Sequence, residues 1–241
     1  MRADVALVPA ELGDTGKRTV VVIDVLRATT SMAAALWHGV REIRVFQSVC
    51  AARRAASMFH GRRLLCGEVR CLKPAGFDLG NSPGDFNSRH RGATAFMSTT
   101  NGTRAIHAAS DAATVFVGAI VNAATVAEAV RGCQQDVVLL CAGIEGEVAL
   151  EDVLGAGAIL NELAQGGSLR LASDRAETAL ELFIRTRRRL STVLSRSAGG
   201  RNVIAAGLQR DINFAARLNS IPVTGIVRHR PLRVVRYQTD S

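Results

Sequence analysis

The chain has 241 residues, of which 48% are hydrophobic and 21% charged, so its composition is that of a globular protein. The formal net charge is +9, and arginine supplies nearly all of the cations, because Lys17 and Lys73 are the only lysines. The arginines are spread along the chain and aromatic residues make up only 4%, which argues against a nucleic-acid partner. A small, highly anionic substrate would suit the surplus charge, and so would a compositional bias without a function.

Cysteine usage and hydropathy indicate a cytoplasmic protein. The five cysteines are an odd number and contain no C-x-x-C pair, which favours reduced thiols and argues against a zinc site. No run approaches 18 apolar residues, and the chain does not begin with a basic segment followed by a long apolar one. We therefore expect no membrane partner and no export. A homo-oligomer stays open as an alternative to a monomer.

Strand and helix patterns alternate through the first two thirds of the chain. Short apolar or alternating runs predict strands at residues 5–8, 20–23, 42–46, 64–67, 95–97, 114–118 and 136–141. Between them, alanine-rich or hydroxyl-capped segments predict helices that end near residue 39, follow Ser48 to residue 60, and cover 105–109, 122–130 and 150–163. Residues 69–91 lack a periodic pattern, and a loop of this length is typical of a functional segment.

The last third of the chain is more helical. Its pattern predicts one long amphipathic helix over 174–196, a break at Gly199-Gly200, a second helix over 202–217, and closing strands at 221–227 and 232–237. We interpret the arginines between 185 and 189 as a solvated face of the long helix. The whole pattern predicts an α/β fold, namely a single three-layer αβα domain over residues 1–241 with a largely parallel, mixed sheet and a more helical part from about 168 to 218.

The stretch after the second predicted strand is the most informative. Residues 20–23 are a β-branched run typical of a strand buried on both faces, and the run ends at Asp24. Arg27 follows, and Thr29 and Thr30 lead into a helix. This arrangement suggests a site with Asp24 and Arg27 as catalytic candidates and the two threonines as substrate-binding candidates. The alternative is structural: the aspartate caps a turn, the arginine pairs with it, and the hydroxyls cap the helix.

Two further strand-to-helix corners, at 98–104 and 142–152, have the same design. If the strands are parallel, all three corners gather at one edge of the sheet. The hydroxyls and helical N–H groups of the second corner predict a phosphate cradle, with a plain capped helix as the alternative. Neither G-x-x-x-x-G-K-[ST] nor G-x-G-x-x-G occurs, so ATP and dinucleotide sites lose support. The substrate-binding candidates of this corner are Thr100, Asn101, Gly102, Thr103 and Arg104.

Several carboxylates are expected at the same edge, and hard oxygen ligands of this kind suit Mg²⁺. Taken singly, each acid is more simply explained as a cap or a salt-bridge partner. Asp211 is a further candidate for this edge, but it lies in a helical stretch beside Arg210 and Arg217, where a surface salt bridge is an adequate explanation, so its role stays open. Asn81 and Ser82 of the long loop add neutral substrate-binding donors. The candidate metal ligands are Asp24, Glu68, Glu151 and Asp152.

Four motifs in this order resemble the 2-phosphosulfolactate phosphatase family. They are the segments 24–30, 80–83 and 99–103, and the pair formed by 141–143 with 151–152. The resemblance extends from the first strand to about Asp211. It implies a Mg²⁺-dependent acid phosphatase that removes phosphate from 2-phospho-3-sulfolactate on a route to coenzyme M. A different small phosphate ester is the expected substrate where that pathway is absent.

The resemblance also implies which residues line the site. Such a substrate carries a phosphate, a sulfonate and a carboxylate, and Arg27 and Arg104 are placed to bind anions. Asp24 is either the nucleophile or a metal ligand. Leu26 stands where the D-x-D-x-T motif of haloacid-dehalogenase phosphatases has its second aspartate, which favours metal-activated water. The implied lining is Asp24, Arg27, Glu68, Asn81, Ser82, Thr100, Asn101 and Thr103.

A non-catalytic protein that binds a small anionic metabolite is the competing hypothesis. A pure anion sensor would avoid acids beside a phosphate cradle, so the clustered carboxylates favour catalysis.

Overall fold

A computed structural model describes residues 1–167 and 169–238. The strands are β1 Arg2–Ala6, β2 Thr19–Ile23, β3 Glu42–Phe46, β4 Arg63–Gly67, β5 Thr94–Ser98, β6 Thr114–Gly118, β7 Val137–Cys141, β8 Arg170–Leu171, β9 Gly225–Arg228 and β10 Arg233–Arg236. The helices are α1 Ala28–Trp37, α2 Val49–Ser57, α3 Gly102–Ala108, α4 Ala123–Cys133, α5 Leu150–Gln165, α6 Asp174–Thr186, α7 Leu190–Arg196, α8 Ala198–Ala205 and α9 Gln209–Ala215.

One sheet joins all ten of these strands in the order β4-β5-β3-β10-β9-β6-β2-β7-β1-β8. The strands β4, β5 and β3 are parallel to one another, and so are β6, β2, β7, β1 and β8. The β9–β10 hairpin joins the two groups through three antiparallel pairings, so the groups run in opposite directions. The predicted mixed, largely parallel sheet is confirmed.

Helices cover both faces of the sheet, which confirms the predicted three-layer αβα architecture. Val20 and Val22 of β2 pack with α1 and α3 on one face, in a cluster that also takes in side chains of β3 and β5. Val21 and Ile23 pack with α4, α5 and α6 on the other face. Because successive strand side chains point to opposite faces, β2 is buried on both sides, as its unbroken β-branched run predicts.

The C-terminal helical part differs from the prediction in its breaks. The predicted helix over 174–196 is wrong as one element, because a 3₁₀ turn at Arg187–Arg189 separates α6 from α7. The predicted break at Gly199-Gly200 is also wrong, since both glycines lie inside α8. A side chain at Gly200 would collide with the Leu194 carbonyl oxygen, so glycine is needed there for close packing and not for a turn.

The predicted helix over 202–217 is interrupted as well. Residues 206–208 separate α8 from α9, and Gly207 has a φ of +77°, a conformation that glycine adopts without strain. Elsewhere the predicted elements shift slightly: the first strand is at Arg2–Ala6 rather than 5–8, and the closing strands are shorter. The two-residue strand β8 was not predicted. No helix within the described ranges is long and apolar enough to cross a membrane.

Candidate active site

A cavity of about 450 Å³ lies among the ends of several strands and one C-terminal helix. The β2–α1 corner contributes Asp24, Leu26 and Arg27 to its lining, and the β5–α3 corner contributes Thr100 and Asn101. The loop after β4 adds Glu68, Arg70, Cys71, Leu72 and Asn81. The loop after β7 adds Ile144 and Glu145, and the opposite wall consists of Gly199, Asn202, Ala205 and Ala206.

Asp24 is buried at the base of this cavity. Its Oδ1 accepts a hydrogen bond of 3.0 Å from the backbone N–H of Ala28, the first residue of α1. Burial, reinforced by the negative charges of Glu68 and Glu151, raises the pKa of Asp24 to about 7. The Ala28 hydrogen bond and, to a smaller extent, the nearby Arg27 cation act in the opposite direction. A cation bound at the other carboxylate oxygen, Oδ2, would therefore stabilise the ionised form of Asp24.

The N-terminus of α3 lies against that oxygen. A side chain at Gly102 would put its Cβ 2.6 Å from Asp24 Oδ2, so only glycine permits this approach. The condition that the strands of all three corners are parallel is not met, because β5 belongs to the group that runs opposite to β2 and lies five strand-to-strand steps away. The two corners meet nonetheless, through the close approach of Gly102 to Asp24 and Ala28.

Arg27 is held in a buried network with the α9 residue Asp211. Its Nη1 donates to Asp211 Oδ2 at 2.6 Å and to Ser82 Oγ at 3.0 Å, and Ser82 Oγ donates to the same aspartate oxygen at 2.8 Å. Its Nη2 donates to the Cys71 carbonyl oxygen at 2.7 Å. Arg27 and Asp211 are 3% and 5% exposed, so the predicted surface salt bridge of Asp211 is wrong. The alternative that Arg27 pairs with Asp24 is also wrong.

Glu68 connects two sides of the cavity. Its Oε2 accepts the backbone N–H of Cys71 at 2.8 Å, and its Oε1 accepts the backbone N–H of Thr100 at 2.6 Å. The carboxylate therefore fixes the loop after β4 against the β5–α3 corner. The Thr100 N–H, which the sequence assigned to a phosphate cradle, is already used by this bond.

Asp152, in the first turn of α5, ties two corners together from behind the cavity. Its Oδ1 accepts the Val25 N–H at 2.8 Å and its Oδ2 accepts the Gly143 N–H at 3.1 Å. Burial, with the neighbouring charges of Asp24 and Glu151, raises the pKa of Asp152 well above its ordinary value. Because both of its oxygens are engaged by backbone, we assign Asp152 to positioning the loops after β2 and β7.

Three of the four predicted threonine ligands do not line the cavity. Thr29 and Thr30 are fully buried, and their hydroxyls donate to the carbonyl oxygens of Asp24 and Val25. Thr103 is also fully buried and donates to the Thr99 carbonyl oxygen. Arg104 is exposed and does not line the cavity. The three threonine hydroxyls hold the backbone of the corners, and neither they nor Arg104 belong to the cavity lining.

Two side-chain oxygen atoms in or next to the cavity lining are buried without a partner. Among the described residues, Asn81 Oδ1 and Glu151 Oε2 accept no hydrogen bond. Asn81 is 3% exposed and lines the cavity, and Ser31 Oγ fixes its backbone by donating to its carbonyl oxygen at 2.7 Å. The Glu151 carboxylate adjoins Gly199, another lining residue, and burial raises its pKa. Unsatisfied buried acceptors are costly unless a ligand supplies the missing partner.

The oxygen atoms available at the cavity are of the chemical type that Mg²⁺ prefers. Within residues 1–167 and 169–238, no group of three or more His, Cys, Asp or Glu side chains is close enough to form a metal cage. The predicted four-carboxylate ligand set is therefore not preformed. Mg²⁺ commonly binds one or two carboxylates and completes its shell with water and substrate phosphate oxygens. Asp24 Oδ2, Asn81 Oδ1 and Glu151 Oε2 are hard oxygen atoms suited to this mode.

Sequence reasoning missed the wall formed by α8 and the turn that contains Arg70. The residues Asn202, Ala205 and Ala206 are ordinary helix residues in sequence, and no local pattern distinguishes them. The glycine at position 199 predicts a helix break, but its role in the structure is different: a side chain there would collide with the Glu151 carboxylate. Proximity of this kind arises only from the packing of α8 beside α5.

Comparisons with known proteins give a consistent result. A family model described as 2-phosphosulpholactate phosphatase matches residues 6–230. A "Probable 2-phosphosulfolactate phosphatase" of Carboxydothermus hydrogenoformans is 38% identical over 223 residues, which cover 92% of each chain. A protein of the same description from Synechococcus sp. (strain JA-3-3Ab) is 40% identical over 210 residues, or 84% of this chain and 86% of the relative. The chain therefore belongs to the 2-phosphosulfolactate phosphatase family.

Proposed function

We propose that the protein is a Mg²⁺-dependent phosphatase that hydrolyses 2-phosphosulfolactate or a similar small anionic phosphate ester. One observation carries the proposal: a buried carboxylate, Asp24, with a pKa raised to about 7, lines a 450 Å³ cavity together with Asn81, whose buried Oδ1 has no partner among the described residues. The relatives' names support the substrate class. Coenzyme M synthesis is one route that such a reaction would serve.

The chain's own residues would position the phosphoryl group and neutralise its charge. Phosphoryl transfer depends mainly on these two effects. The Arg27 guanidinium faces the cavity and is fixed by Asp211, Ser82 and the Cys71 carbonyl, so little conformational entropy is lost when it binds an anion. Glu68 and Asp152 hold the surrounding loops in register through four backbone N–H groups.

Asp24, Asn81 and Glu151 are the residues that would hold Mg²⁺. When bound there, the ion supplies positive charge to the phosphoryl oxygens and the attacking water. Burial raises the pKa values of three acids, Asp24, Glu151 and Asp152, and a divalent cation would stabilise the ionised form of those it contacts. Leu26, two residues after Asp24, provides no second carboxylate for an aspartyl-phosphate mechanism, which favours water as the nucleophile.

A phosphate-release assay tests the activity. With 2-phosphosulfolactate as substrate we expect turnover that requires Mg²⁺ and stops when EDTA is added. Turnover that continues undiminished in metal-free buffer would contradict the metal role. Tight binding of the ester without any release of phosphate would instead support the non-catalytic metabolite-binding protein.

Thermal unfolding at pH 8 tests the metal site without relying on activity. The folded-state pKa of Asp24 is about 7, above the ordinary unfolded value near 3.9, so its ionisation destabilises the metal-free protein as pH rises between these values. We expect Asp24→Asn to unfold a few degrees higher than wild type in EDTA. Mg²⁺ should raise the wild-type Tm and leave that of Asp24→Asn unchanged. Equal Mg²⁺ shifts in both proteins would place the ion elsewhere.

A further inference from the structure

The turn Val69–Leu72 at the rim of the cavity has an unusual backbone. Val69 and Leu72 exchange backbone hydrogen bonds of 3.0 and 3.1 Å, and the central residues Arg70 and Cys71 have φ values of +49° and +68°. Positive φ at both central positions is the arrangement of a type I′ turn, which strongly prefers Asn-Gly. Neither residue is Gly or Asn, so the turn carries backbone strain at the site.

Hydrophobic packing of the flanking residues does not explain this strain, although Cys71 itself packs against the core. The flanking residues Val69 and Leu72 are 51% and 59% exposed. The turn is held instead by polar contacts with the site: the Cys71 N–H donates to Glu68 Oε2, and the Cys71 carbonyl oxygen accepts from Arg27 Nη2. This turn places Arg70 in the lining of the cavity.

Arg70 differs from the other lining cation in its partners. Of the described residues that line the cavity, Arg27 and Arg70 are the cations. The Arg27 charge is already balanced by Asp211 at 2.6 Å. Arg70 is exposed and makes no hydrogen bond or ion pair with any residue in the described part of the chain. Its charge is therefore available to a ligand that enters the cavity.

We propose that Arg70 is a specificity-determining residue that binds a second anionic group of the substrate, a carboxylate or sulfonate, while the phosphoryl group lies at Asp24. This inference rests on the proposed phosphatase function. A guanidinium pairs well with either oxyanion through two parallel N–H groups. An ester that lacks a second anion forgoes this contact and is bound more weakly.

The variant Arg70→Asn tests the role, because asparagine tolerates positive φ and so removes the charge while it preserves the turn. The two substrates are 2-phospholactate, which carries a carboxylate, and p-nitrophenyl phosphate, which lacks a second anion. We expect KM for 2-phospholactate to rise at least tenfold with kcat within threefold of wild type, and kcat/KM for p-nitrophenyl phosphate to stay within threefold. Arg70→Lys should restore part of the affinity.

Arg188→Asn is the matched control, since Arg188 is exposed and lies outside the cavity lining. An unchanged KM for 2-phospholactate in Arg70→Asn, or an equal loss with both esters, overturns the inference and leaves the phosphatase function standing. If wild type hydrolyses neither of these esters nor 2-phosphosulfolactate, the proposed function fails. Calorimetric binding of 2-phospholactate then decides: at least tenfold weaker binding by Arg70→Asn supports the anion site, and equal binding rejects it.

Discussion

The β2–α1 and β5–α3 corners share a backbone design but contribute differently to the cavity. In the first, the Thr29 hydroxyl donates to the Asp24 carbonyl oxygen and accepts the Asp24 N–H, both at 2.9 Å. In the second, Thr103 makes the same pair of bonds with Thr99, at 2.9 and 3.4 Å. Only the first corner places charged side chains in the cavity. Hydroxyls at such corners therefore indicate turn construction, whereas a buried acid indicates the site.

The largest expected effect comes from removing the carboxylate of the first corner. Asp24→Asn keeps an acceptor for the Ala28 N–H and removes the charge at Oδ2, so the protein should fold. We expect kcat in the phosphate-release assay to fall by two decades or more, roughly 2.7 kcal/mol in the barrier. Asp111→Asn, at an exposed position outside the cavity, is the control. Activity of Asp24→Asn within about threefold of wild type would make the first corner structural.

The second corner should be sensitive to backbone crowding rather than to loss of charge. In Gly102→Ala the new methyl group meets both Asp24 Oδ2 and Ala28 Cβ, so α3 must move away. We expect kcat to fall by about 30-fold and the Tm to drop by several degrees. Gly84→Ala is the matched control, since no atom lies within 4 Å of its added Cβ. Wild-type activity in Gly102→Ala would show that the contact between the corners has no functional role.

Asp211→Asn tests whether the first corner depends on a residue distant in sequence. Removing one partner of a buried ion pair leaves the other charge uncompensated, so unfolding should become easier by about 3 kcal/mol. A less rigid Arg27 should lower kcat/KM about tenfold. Glu181→Gln, which breaks the exposed pair with Arg185, should change neither quantity. Equal effects of the two variants would show that the Arg27 network is not required.

The smallest effect on catalysis is expected from the hydroxyls. Thr103→Val removes the donor to the Thr99 carbonyl oxygen without altering the cavity lining. Stability should decrease by about 1–2 kcal/mol in denaturant titration, because a buried acceptor loses its partner. We expect kcat/KM within threefold of wild type. A loss of tenfold or more would restore Thr103 as a ligand of the phosphate.

Local patterns predicted the strands and the first corner well. The unbroken apolar run of β2 reflects burial on both faces of the sheet. The acid that follows it marks the end of the strand, where the chain enters the site. Strand β3 at Glu42–Phe46 and β6 at Thr114–Gly118 have the predicted bounds. Ser48 caps α2 as predicted, since its side chain accepts the Ala51 N–H.

The remaining features depend on distant parts of the chain, which local patterns do not encode. Asp211 has the sequence context of a surface residue, and only the packing of α9 beside the Ser82 turn buries it against Arg27. A glycine is needed at position 199, inside α8, because the helix approaches the Glu151 carboxylate there. The reversal of strand direction between the two halves of the sheet depends on the C-terminal hairpin, which enters between β3 and β6.

A crystal structure of the protein with Mg²⁺ and vanadate, a tetrahedral phosphate analogue, tests the central claim most directly. We expect the anion in the cavity between Asp24 and Arg27, with Mg²⁺ bound to Asp24 Oδ2 and to Asn81 or Glu151. Binding of the anion elsewhere, such as in the smaller pocket lined by Arg210 and Arg217, with this cavity empty of both ions, would contradict it.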